Sequence, residues 1–159
     1  MFKKLVIGAV CIAVAAFISV LIKESLDTLD PEASLPTLTV TQNDQVITDV
    51  YRAGYEWRYF ATVERRAPQV TEADLPLVPV DVAPQARIAL NFSSDPSSLH
   101  VYRTESQASP NYLELVNEDP SVFYAPTTPG VYVYKVIAEW GWRGEIQYYF
   151  SVRIVQPAV

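Results

Sequence analysis

The segment Gly130-Val-Tyr-Val-Tyr-Lys-Val-Ile-Ala-Glu-Trp-Gly-Trp-Arg-Gly-Glu-Ile-Gln-Tyr-Tyr-Phe-Ser-Val-Arg-Ile154 alternates with a period of two on both sides of a short Gly-containing break. Successive side chains of a strand point to opposite faces. Tyr132, Tyr134, Val136, Ala138 and Trp140 therefore share one face, and Val131, Val133, Lys135, Ile137 and Glu139 the other. After the break, Ile146, Tyr148, Phe150, Val152 and Ile154 alternate against Glu145, Gln147, Tyr149, Ser151 and Arg153. The pattern predicts an antiparallel hairpin. Its inner face presents aromatic and aliphatic side chains to a second sheet, and its outer face is wet, with Lys and Arg opposing Glu.

The same logic extends upstream. Ile88, Leu90 and Phe92 alternate with Arg87, Ala89 and Asn91, and short runs rich in Val, Tyr, Ile and Phe recur between Pro, Gly, Asp and Ser clusters. Strands are expected over 37–41, 45–51, 56–63, 86–92, 98–104, 111–116, 121–124, 130–140 and 145–155. Ten Tyr, six Phe and three Trp suit a pleated, half-buried surface. Eight or nine short antiparallel strands point to an all-β, immunoglobulin-like antiparallel two-sheet sandwich; an irregular barrel is the other arrangement. Pro129-Gly130-Val131-Tyr132 has the form of a tyrosine corner, and Trp57 is the candidate core tryptophan. Residues 64–85, with Pro68, Pro76, Pro79 and Pro84, read as a long connection along a sheet edge, anchored by Leu75, Leu77, Val78 and Val80.

Ahead of the β-rich region, Lys3 and Lys4 precede Leu5 to Ile22, eighteen residues without a charge. As a helix this run is roughly 27 Å long, about the thickness of a bilayer's hydrocarbon core. Basic residues before it favour a cytoplasmic N-terminus, which places the rest of the chain outside the cytoplasm. The expected organisation is a cytoplasmic tail over 1–4, a transmembrane signal anchor over 5–22, an acidic stalk over 23–36 and a β-sandwich ectodomain over 37–156. A cleaved signal peptide would use Ala13-Val14-Ala15, but apolar residues continue to Ile22, which favours an anchor that is kept. Val10 before Cys11 is too bulky for a lipidation site.

Composition narrows the chemistry. The 159 residues hold 12 basic and 18 acidic side chains, net charge -6, and without Lys3 and Lys4 the remainder stands at -8. That balance speaks against nucleic acid as a partner and against electrostatic adsorption to anionic lipid. Cys11 is the only cysteine and His100 the only histidine. Intramolecular disulfides, CxxC redox pairs and cysteine-based zinc sites are thereby excluded, and a Ser-His-Asp triad could run only through His100. No cofactor or metal is expected.

Four groups of residues are candidates for function. At the hairpin tip, Glu139-Trp-Gly-Trp-Arg-Gly-Glu145, alternation turns Trp140 inward and leaves Trp142 beside Arg143, where an aromatic plate could stack on a sugar ring or anchor a protein. Phe60, Tyr102 and Tyr149 form a candidate exposed aromatic strip. Expected binding residues are thus Trp142, Arg143, Tyr149 and Tyr102. Glu118 with Asp119, or Glu139 with Glu145, are nominal carboxylate pairs for glycoside hydrolysis, but an exposed charged run is the simpler reading. Asn117, Glu118, Asp119 and Asp95 lack the spacing of a calcium loop. His100, flanked by Leu99 and Val101, reads as a surface side chain.

Taken together, Gly54-Tyr55-Glu56-Trp57, Ile88-x-Leu90-x-Phe92-Ser93 followed by Pro96, Pro129-Gly130-x-Tyr132-x-Tyr134-x-Val136-x-Ala138-x-Trp140, and Gly144 with Tyr148-x-Phe150-x-Val152 resemble an uncharacterised β-sandwich module of Gram-positive bacteria. It is similar to one that accompanies the sensor regions of antirepressor-type membrane proteases, and the likeness covers about residues 36–155. What the resemblance implies is an extracytoplasmic module of the cell envelope; it transfers no catalytic residue. The expected function is a membrane-tethered, non-catalytic binding or interaction module. Its partner would be a membrane or envelope protein or the cell-wall glycan. A glycan-active enzyme and a purely structural envelope protein are the alternatives.

Overall fold

The computed structural model describes residues 2–43, 45–105, 107 and 110–155. These fall into two compact units, the described residues up to 35 with 59–62, and those of 36–58 with those from 63 to 155. In the first, helix α1 (Phe2–Asp27) runs on past the apolar segment, and a single helical turn, α2 (Pro31–Ser34), follows. Asp30 caps that turn by accepting from the Ala33 amide at 3.3 Å, and Pro31 starts it. Within α1, Val6–Asp27 contains an 18-residue window of mean hydropathy 2.6 and is long and apolar enough to cross a membrane.

The second unit is a two-sheet β-sandwich of immunoglobulin-like type. Its strands are β1 (Leu38–Gln42), β2 (Gln45–Thr48), β3 (Tyr51–Arg58), β4 (Val63–Arg66), β5 (Val80–Val82), β6 (Arg87–Phe92), β7 (Ser98–Thr104), β8 (Leu113–Glu114), β9 (Val122–Tyr124), β10 (Gly130–Glu139) and β11 (Gly144–Ile154). One sheet has the order β2-β1-β6-β9 and the other β4-β3-β11-β10-β7-β8. Every pairing is antiparallel except that β5 lies parallel to the C-terminal part of β11.

The decisive hairpin forms in the register that the alternation predicts, from Gly130 opposite Ile154 to Glu139 opposite Glu145. Its inner face is sealed: Tyr134, Val136, Ala138, Ile146, Phe150 and Val152 have no exposed surface. Rings bridge the sheets. Tyr134 stacks between Phe123 and Phe150 with centroids 5.1 and 4.9 Å away, and Phe92 meets Tyr148 edge-on at 6.1 Å. Trp57 is buried and packs edge-to-face on Trp140 at 5.6 Å. Tyr132 donates its hydroxyl to the Thr128 carbonyl at 3.0 Å, which is the expected tyrosine corner.

Three expectations need correction. First, the strand read as 56–63 is β3, which starts at Tyr51. Gln147 opposes Gly54 while Tyr148 opposes Arg52, so Ala53 is an extra residue that breaks the alternation. Second, the 64–85 connection covers more than an edge: β4 lies on the outer side of β3, and β5 on the stretch of β11 beyond its pairing with β3. It crosses the outer face of the larger sheet as a strap: Leu75 is buried among Ala53, Val133 and Tyr149, and the chain then adds β5 to β11. Val78, expected to anchor it, is 75% exposed. Third, the outer face of the hairpin is therefore only partly wet, with Val133, Tyr149 and Ser151 each 2% exposed. Lys135 opposes Tyr149 rather than a Glu, and it takes its carboxylate from Glu72 of the strap, at 3.1 Å.

Candidate functional site

The hairpin tip is built on two glycines. Gly141 has φ +56° and Gly144 φ +123°, conformations that residues with a Cβ rarely adopt. Gly141–Arg143 form one 3-10 turn, closed by the Arg143 amide donating to the Trp140 carbonyl at 3.1 Å, and the Trp140 amide closes the hairpin around it by donating to the Gly144 carbonyl at 2.8 Å. The neighbouring β6–β7 turn and β3 pin this turn from both sides. The Ser97 hydroxyl donates to the Glu139 carbonyl at 3.0 Å and accepts from the Gly141 amide at 2.8 Å. The Trp140 indole donates to the Ser94 carbonyl at 3.0 Å, and Arg143 to the Arg58 carbonyl at 3.1 Å.

On that frame the Trp142 indole is 54% exposed, with the Arg143 guanidinium 4.3 Å from its ring centre. Such a cation-π stack is worth about 0.5–1 kcal/mol at an exposed site. It biases the orientation of the plate and leaves about half of its surface exposed.

Beside the plate is a shallow depression of about 280 Å³ lined by Glu56, Glu139, Gly141, Gly144 and Glu145. Register explains the acids: Glu139 lies directly opposite Glu145, and Glu145 opposite Glu56. Like charges facing across strands disfavour the pairing. Glu56 is the compensated member: Arg65 donates to it at 2.8 Å and, helped by Arg58 at 3.4 Å, holds its carboxyl below the usual range against desolvation. Alternation exposes Glu139 and Glu145 in the sequence, but nothing there signals Glu56, Ser94 or Ser97 as neighbours of the tip.

The structure divides the four expected binding residues. Trp142 and Arg143 are together at the tip; Tyr102 and Tyr149 flank Lys135 across β7, β10 and β11. Tyr149 is four residues along β11 from Glu145, roughly 13 Å at strand rise. Tyr149 is also not the exposed aromatic that was expected, since the strap covers it and its hydroxyl donates to Glu72 at 2.7 Å. Tyr102 is half-buried and stacks on His100 with ring centres 6.5 Å apart. Phe60 is exposed and belongs to the unit that contains α1; with Tyr149 buried, the expected exposed strip of three aromatics does not form.

The remaining candidates resolve into local structure. His100 points outward and its Nδ1 lies 2.7 Å from a Glu114 carboxylate oxygen, tying β8 to β7. Asp119 accepts from both the amide and the hydroxyl of Ser121, at 2.9 and 2.6 Å, and these bonds hold its carboxyl below the usual range. A general acid needs the opposite displacement. Asp119 and Asp95 also line a cleft of about 380 Å³ with Asn91, Ser97 and Ser121. Among the described residues, no three His, Cys, Asp or Glu side chains are arranged to hold a metal ion.

Comparisons with protein-family models, with curated proteins and with solved structures return no match. The fold and the geometry of the tip therefore carry the functional argument.

Proposed function

We propose that the chain is a membrane-tethered, extracytoplasmic interaction module of a Gram-positive cell envelope, non-catalytic, that meets its partner through the 140–144 tip. The observation that carries this reading is the exposed Trp142 plate, stacked on Arg143 and standing on a turn pinned from two neighbouring segments. Aromatic and Arg anchors dominate protein interfaces, and a rigid platform lowers the ordering cost of binding. Lys3 and Lys4 before the apolar helix support the orientation, and the net acidity of the rest argues against nucleic acid.

The partner is a membrane protein, another envelope protein or the wall glycan. Co-sedimentation of the full chain, held in nanodiscs, with purified Gram-positive cell wall separates them. Pelleting that Trp142→Ala abolishes identifies a glycan contact at the tip. Absence of pelleting for the unaltered chain removes the glycan and leaves a protein partner. Pelleting that survives Trp142→Ala contradicts the assignment of the tip.

A further inference from the structure

The loop between β3 and β4, Tyr59-Phe60-Ala61-Thr62, carries no charge and belongs to the same compact unit as α1. The Phe60 amide donates to the Glu24 carboxylate at 3.1 Å. Glu24 is two residues beyond Ile22, so it stands about 3 Å past the end of the uncharged run. Helical side chains lean toward the N-terminus, which carries that carboxylate, and the loop bonded to it, back to the level of the last apolar turn.

Two further hydrogen bonds close and tether the loop. Its Tyr59 amide donates to the Thr62 carbonyl at 2.9 Å, and the Tyr59 and Ser34 hydroxyls share a hydrogen bond of 2.6 Å. Outside the apolar run, three large apolar side chains of the same unit are open among the described residues: Phe60 is 55% exposed, Leu26 61% and Leu29 80%. Each would leave water on entering the boundary layer of a bilayer, a transfer that favours apolar surface.

We infer that Phe60, with Leu26 and Leu29, forms a second membrane contact lying in the interfacial layer of the bilayer that α1 crosses. This rests on the anchor reading proposed above. The contact is apolar. Residues 23–34 hold Glu24, Asp27, Asp30 and Glu32 against Lys23, and Arg58 precedes the loop, so the charge near it in sequence is net negative and the contact gains nothing net from anionic headgroups.

The test uses the full chain in phosphatidylcholine vesicles, with Cys11→Ala and a nitroxide on a single new cysteine at Ala61→Cys or at Ile18→Cys. Collision with oxygen and with a water-soluble nickel chelate reports depth. The label at 18 should sit in hydrocarbon. That at 61 should collide with the chelate several-fold less than a free nitroxide in bulk water, and Phe60→Ser should bring the collisions back toward the bulk value.

If the label at 61 behaves as in bulk water while the one at 18 is in hydrocarbon, the second contact is overturned and the anchor stands. If Phe60→Ser leaves the label at 61 protected, Phe60 is not what holds the loop in the interface and the inference also falls. If the label at 18 is itself open to the chelate, the anchor reading fails first and this inference with it.

Discussion

Tyr148 and Ser151 are three residues apart on β11, and both carry a buried hydroxyl with opposite consequences. Tyr148 faces the sandwich interior and donates to the Pro36 carbonyl at 2.7 Å. Ser151 faces the strap and has no hydrogen-bond partner among the described residues. A buried hydrogen bond contributes about 1 kcal/mol net, and a buried hydroxyl left unmade costs a similar amount. Tyr148→Phe should therefore lower stability by about 1–2 kcal/mol, whereas Ser151→Ala should leave it unchanged or raise it by up to about 1 kcal/mol. Urea unfolding of the two variants checks the pair, and equal losses would contradict the assignment. Gly144 makes a sharper case. A Cβ there would collide with the Glu56 carbonyl, at a φ of +123° that disfavours any other residue. Gly144→Ala should cost at least about 3 kcal/mol and displace the tip. The change would be visible as altered Trp142 fluorescence, and an unchanged emission would contradict the strained turn.

Among the elements, legibility follows how local the cause is. β10 and β11 could be read from alternation alone because both faces repeat over ten and eleven residues. β3 was hidden at its start because one extra residue, Ala53, puts two adjacent buried positions into the run. The strap was not legible as a cover. Alternation assigns Tyr149 and Val133 to the outer face correctly but does not say what lies on that face; Leu75 reaches them from 58 or more residues away along the chain. At the tip, Trp142 and Arg143 could be picked out from the sequence, whereas Ser97, which holds the turn, comes from another hairpin and carries no sequence signal.

The strap also brings a pH dependence. Burial opposes ionisation of Glu72, but hydrogen bonds from Tyr149 and Lys135, the Lys135 charge and a further bond from Tyr112 outweigh it and hold the carboxyl below its usual range. A lowered folded pKa gives stability that is present above the unfolded value, about 4.3, and is lost as pH falls through the folded one. Hydrogen-exchange protection of the Asp74 and Leu77 amides, which close the strap's turns, should therefore fall on acidification below about pH 4. Glu72→Gln should show weak protection already at neutral pH, with little further change. Full protection in that variant would contradict the latch.

For the whole molecule, the chain joins an apolar helix long enough to cross a bilayer to a β-sandwich with one exposed, braced aromatic plate. In the proposed interaction module the helix supplies location and the plate supplies contact. Photocrosslinking in living cells tests it most directly, with a photoreactive amino acid at position 142 of the membrane-inserted chain and the same group at Val78 and Val116, which are 75% and 88% exposed. The account predicts a discrete adduct with an envelope component from position 142 that the two control positions do not give. Equal or absent adducts at all three positions would contradict it.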